Sequence, residues 1–145
     1  MLDLFLDLIY CFIATWFFAL VMQAPRKSLV FSALIADIGY LIYIICVNNN
    51  YELFGFFLGT LVISLLGEIC ARKIKMPATI FIFPAVVPIV PGIGLYETML
   101  KFVQNDIDQA IYLGIRTIFN IGAMAIAIAL VSLLLTKLHK KVEKK

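Results

Sequence analysis

The sequence predicts an all-α integral membrane protein, a bundle of five transmembrane helices with the fourth broken by proline and glycine. Three observations lead there. Of its 145 residues, 63% are hydrophobic and only 14% charged, against about 45–50% and about 25% in ordinary soluble domains. A soluble chain of this size has too little interior to hide so much apolar surface. The apolar residues also run continuously for about 20 residues at a time, enough to cross a ~30 Å hydrocarbon core, and do not alternate as half-buried strands would. Finally, the charges gather between those runs. Together these exclude a soluble enzyme, a nucleic-acid binder and a disordered chain.

The first run covers residues 4–22. A signal peptide would carry basic residues before the run and a small-residue cleavage site after it. Here Asp3 precedes it and Pro25, Arg26 and Lys27 follow, so it reads as a retained spanning helix. The second run, 29–47, has Asp37 near its centre and ends at Asn48–Asn49–Asn50. The third, 53–70, holds Glu68 and stops at the basic residues Arg72, Lys73 and Lys75. Its Gly55 and Gly59 form a G-x-x-x-G pair that permits close helix approach. The fourth, 76–100, is apolar but contains four of the five prolines. The fifth, 111–135, carries Arg116 and Asn120 and a small-residue face of Gly122, Ala125 and Ala129. Residues 1–136 therefore form one five-span transmembrane domain, and 137–145 a basic tail.

Charge bias sets the expected orientation. If all five runs cross, one side carries Arg26, Lys27, Arg72, Lys73, Lys75 and the five tail lysines, and the other only Lys101. The positive-inside rule then places the N-terminus outside and the C-terminus in the cytoplasm, in an inner or plasma membrane. A re-entrant fourth segment is the rival topology, and it would send the lysine-rich tail outside. Cys11, Cys46 and Cys70 show no metal spacing, and the single histidine, His139, has no partner motif. No metal and no cofactor are expected. The absence of hydrolase and metalloprotease motifs argues against a membrane enzyme.

The proline segment is the most informative stretch. Pro77, Pro84, Pro88 and Pro91 fall within about 60° of one another on a helix. Each removes a backbone donor and crowds the preceding turn, and Pro91 is followed by Gly92-Ile93-Gly94. An unbroken helix through 90–94 is therefore not expected. Backbone groups freed inside hydrocarbon must be satisfied by protein, water or ligand. A second half-helix starting near 93–95 would aim free N–H groups into the interior, a setting for a carboxylate. Broken helices of this kind form the substrate sites of several transporters. The other reading is a kinked structural helix packed on its neighbours.

This same stretch, KMPATIFIFPAVVPIVPGIGLYETM, resembles the threonine/serine exporter family. The matching features are Pro77-Ala78-Thr79, Pro84, Pro88, Pro91-Gly92 and the Leu95–Tyr96 pair, with the length and five-span pattern agreeing over essentially the whole chain. The resemblance is to the small-subunit type, which corresponds to the C-terminal half of the full-length exporters. It implies export of small hydrophilic metabolites, chiefly threonine and serine. It also implies a larger partner subunit resembling the N-terminal half. A related two-component branch implies dicarboxylates such as succinate as the alternative substrate. A passive channel subunit or a non-transporting assembly factor stays open beside these.

On this reading the substrate-binding candidates are Pro84, Pro88, Pro91, Gly92, Gly94, Tyr96, Glu97, Arg116 and Asn120. Arg116 and Asn120 are one turn apart on the fifth span. Arg116 either neutralises Asp37 or Asp7, or holds a substrate carboxylate. Asp37 and Glu97 are the candidates for proton coupling, because ionisable groups inside a span are costly and tend to mark ion pathways.

Overall fold

The computed structural model describes residues 2–142. Six α-helices follow one another: α1 (Leu2–Val21), α2 (Arg26–Asn48), α3 (Glu52–Ile74), α4 (Thr79–Val86), α5 (Gly92–Val103) and α6 (Ile107–Val142). A single turn of 3-10 helix, Val87–Ile89, prolongs α4. No strand occurs among the described residues. Four of the helices are each long and apolar enough to cross a membrane, and the bent pair Thr79–Ile89 and Gly92–Val103 makes a fifth if counted as one span. The chain is an all-α, multi-pass membrane bundle.

The helices outrun the apolar segments that foretold them. α3 continues through Arg72 and Lys73, where Arg72 lies 3.7 Å from Glu68 one turn back. α6 continues to Val142, past the expected end at 135. Lysine and arginine are good helix formers, so a charged stretch leaves the membrane without ending the helix. Residues 143–145, the end of the expected basic tail, lie outside the described residues. Four tight turns reverse the chain, and each contains one left-handed residue: Gln23, Asn50, Lys75 and Asn105, at φ from 56° to 63°. Asparagine, which tolerates this conformation best after glycine, fills two of the four.

The core lies where α2, α3 and α4 meet. Ile35 and Ala36, Ile63, and Phe81, Ile82, Ala85 and Ile89 are buried together, with Cys11 of α1 and Met124 of α6 closing the cluster. The G-x-x-x-G of α3 seats that helix on α2. A Cβ at Gly59 would stand 3.0 Å from the Gly39 carbonyl oxygen and 3.3 Å from Tyr43 Cβ. One at Gly55 would stand 3.2 Å from Cys46 Cβ. The other small-residue face behaves differently: Gly122 has nothing within 4 Å of where its Cβ would be, and Ala125 and Ala129 are exposed.

α5 stands apart from this core. Among the described elements it packs on α6 alone, and α6 packs only on α3 and α5. The register follows from close contacts. Gly94 faces Thr117 and Gly114 faces Thr98 across the α5–α6 pair. Glu52, the first residue of α3, meets Arg116 and Asn120 of α6. Measured along α6, α5 therefore begins level with the first turn of α3 and runs away from it.

Candidate functional site

The break falls at Val90–Pro91, and the two half-helices meet at 51°. Pro88 and Pro91 cannot donate, so the chain leaves the 3-10 turn at Val90 and re-enters helix at Gly92. Gly92 N–H donates back to the Val90 carbonyl at 2.7 Å, and Leu95 N–H to the Pro91 carbonyl at 3.3 Å. The first turn of a helix has N–H groups without an intrahelical acceptor and carries the positive end of its dipole. Here that turn, Gly92, Ile93 and Gly94, forms one wall of a cavity of about 360 Å³. Tyr40 and Tyr43 of α2, Glu52 and Phe56 of α3, and Leu113, Arg116, Thr117 and Asn120 of α6 complete it. Ile89 and Phe56 belong to both the cavity lining and the buried core, so the core forms its floor.

Three charged side chains line this cavity: Arg116, Glu52 and Glu97. Arg116 Nη2 donates to Glu52 Oε2. Asn120 Nδ2 donates to the other oxygen of the same carboxylate, Oε1, at 2.9 Å. Asn120 is buried, whereas the Arg116 side chain is about half exposed (54%). The pair is thus held at its α6 root and open toward the cavity. Glu97, one turn further along α5, is exposed. Both signs of charge therefore sit within one chamber, beside a helix N-terminus.

The structure brings Pro88, Pro91, Gly92, Gly94, Glu97, Arg116 and Asn120 to this cavity. Two other candidates lie elsewhere. Pro84 is buried in the α4 face of the core, and Tyr96 points away from the site and is 66% exposed. Asp37 lines a separate apolar cleft between α1 and α2, with Phe5, Leu8, Ile9, Phe12 and Ile13. One of its oxygens, Oδ1, is buried without a hydrogen-bond partner among the described residues, as is Thr15 Oγ1. Arg116 takes Glu52 as its partner in place of the expected Asp37 or Asp7. Glu52 was not among the expected site residues. Its position as the first residue of an apolar helix was the available signal.

Gly94 fixes how closely α5 lies on α6. A Cβ there would come within 2.5 Å of Thr117 Oγ1, while one at Gly92 would meet nothing within 4 Å. Thr98 and Thr117 turn their hydroxyls back to the carbonyls of Gly94 and Leu113, at 2.6 and 2.8 Å; the Thr98 methyl faces Gly114, whereas at Gly94 the Thr117 oxygen stands closest. Gly94→Ala is expected to destabilise the protein by about 1–3 kcal/mol through overpacking, and Thr117→Ala to recover most of the loss. Gly92→Ala should be close to neutral. Thermal unfolding of the purified protein in detergent checks all three.

The family model described as Threonine/Serine exporter, ThrE, matches residues 7–134. An uncharacterized protein of Haemophilus influenzae is 31% identical over 143 residues, covering 92% of this chain and 48% of the relative. The chain thus spans about half the length of that curated relative. No solved structure matches. With nearly all of its spanning segments inside the matched region, the chain belongs to the threonine/serine exporter family, a family of membrane transporters.

Proposed function

We propose that this chain is one half of a membrane exporter of small zwitterionic amino acids, threonine or serine, and that it binds them in the cavity at the broken helix. The observation that carries the reading is the mixed charge of that cavity. A substrate carboxylate is served by the α5 N-terminus and Arg116, and a substrate ammonium by Glu52 and Glu97. The chamber of about 360 Å³ is ample for a small amino acid. A dicarboxylate such as succinate would bring a second anion against two carboxylates, which disfavours it.

The other half is a second, non-identical subunit; the relative's unmatched half, about as long as the part this chain matches, supports it, and the family resemblance makes it the larger of the two. Export runs from the cytoplasm across an inner or plasma membrane, with the lysine-rich end inside, in keeping with the positive-inside rule. Proton coupling is proposed for Asp37, inside a span, with Glu97, which borders the cavity, as the second candidate.

Efflux of preloaded, labelled threonine, serine and succinate from cells tests this. The cells express this chain alone, the larger subunit alone, or both. Saturable, uncoupler-sensitive efflux of threonine or serine is expected only from the pair. Efflux of succinate in preference to both amino acids would replace the substrate assignment. Equal, non-saturating flux of all three, insensitive to uncoupler, would make the assembly a channel.

A further inference from the structure

We infer that the outer face of α5, together with the open small-residue stripe of α6, is the surface on which the second membrane half docks. This deepens the reading of the chain as one half of an exporter and rests on it. Four observations converge on that surface.

The first is how little of this chain supports α5. It touches α6 alone, and only Thr98 among its residues is buried. Ile93, Tyr96, Met99 and Val103 are between 64% and 80% exposed. The second is height. α3 has 23 residues, about 34 Å of helix at 1.5 Å per residue, already the depth of a bilayer core. α5 pairs with the stretch of α6 that precedes the level of Glu52, so it stands at or beyond the end of α3. A membrane placed around α3 leaves this apolar hairpin incompletely covered by lipid.

The third observation is chemical. The same side of the molecule exposes Glu97 and half of the Arg116 side chain, at the mouth of the cavity. An apolar α5 face beside a charged cavity mouth suits neither lipid nor water alone, whereas a protein partner can match both. The fourth is the stripe. Beyond the stretch of α6 that α5 occupies, Gly122, Ala125 and Ala129 lie on the side of the helix turned away from α3, where a Cβ at Gly122 would meet nothing. Small residues let a second helix approach closely, and no helix among the described residues does so.

The occupant is a second membrane-spanning polypeptide of different sequence. The Haemophilus influenzae relative contains about as much chain again as the part that this protein matches, which is the right amount to cover such a face. The docked half would wall the open side of the cavity, so the site is completed only in the assembly.

Site-specific photocrosslinking in the native membrane tests this. A photoreactive amino acid is placed at Met99, at Ile93 and, as a lipid-facing control, at Phe5 of α1, which is 61% exposed. Adducts are identified by mass. Expected are adducts from Met99 and Ile93 to a non-identical, multi-span protein, with lipid adducts only from Phe5. Gly122→Leu should lower the protein adducts at least tenfold while leaving the thermal stability of the isolated chain unchanged. Adducts between two copies of this chain, or lipid alone from every position, would overturn the proposal. Adducts that persist with Gly122→Leu would remove the stripe from the interface. Adduct formation without amino-acid efflux would refute the transport reading and leave the docking surface standing. Efflux from this chain alone, without adducts, would do the reverse.

Discussion

Replacing Arg116 with glutamine is expected to raise the apparent KM for threonine or serine efflux by about 10- to 150-fold. That range follows from the loss of one hydrogen bond to a charged group, about 1.5–3 kcal/mol. Glutamine keeps a donor and most of the length but removes the charge that a carboxylate requires. The alternative role for Arg116 is to neutralise Glu52. The two roles separate in the charge-swapped double variant, Arg116→Glu with Glu52→Arg. A purely structural pair should work in either orientation, so the swap would then restore transport. If Arg116 holds the substrate, the swap restores folding, as seen by gel filtration in detergent, yet leaves efflux at background. Full transport by the swapped protein would remove Arg116 from substrate binding.

Gly59→Leu is expected to give the largest loss of folded protein. The Cβ of any residue at this position is directed at the Gly39 carbonyl oxygen, 3.0 Å away, and at Tyr43 Cβ. Both obstacles are rooted in the α2 backbone, so no rotamer change relieves them, and the helices must separate. Overpacking costs about 1–3 kcal/mol, occasionally more, and the upper end applies where backbone opposes backbone. The separation also moves Tyr43 and Phe56, whose tilted rings pack with centroids 4.8 Å apart and line the cavity. A thermal shift assay on the isolated chain in detergent should therefore show Gly59→Leu melting well below the parent. Gly122→Leu is the matched control, because a Cβ there meets nothing within 4 Å. Equal melting of the two variants would contradict the packing described for α2 and α3.

The spans and the break were legible because both are local. A continuous apolar run of bilayer length needs no tertiary context, and prolines beside glycines forbid a continuous helix wherever they fall. The second half-helix was expected to begin near 93–95 and begins at Gly92. Arg116 and Asn120 share a helix face by spacing alone, and they meet one carboxylate. The identity of that carboxylate was not legible. Glu52 lies 64 residues from Arg116 in sequence, and its one local mark, the first position of an apolar helix, does not name its partner. Asp37 illustrates the converse. A carboxylate near the middle of a span announces that something must accommodate it, but not which neighbours do, and here they are residues of α1. Tyr96 was expected at the site through the Leu95–Tyr96 pair of the family resemblance, whereas the pitch of α5 turns it outward.

Glu52 occupies both Arg116 and Asn120 through its two oxygens, so the chamber already contains a carboxylate supplied by the protein itself. Any anion that reaches Arg116 has to displace an intramolecular rival. The net affinity is then the difference between two similar interactions, and it is weaker than the guanidinium alone would provide. That self-competition has a direction. It resists tight capture of a solute that has to be released again, and it regenerates a neutralised site as the solute departs. The departing molecule leaves behind an ion pair and not a bare charge, so no uncompensated guanidinium holds it in place.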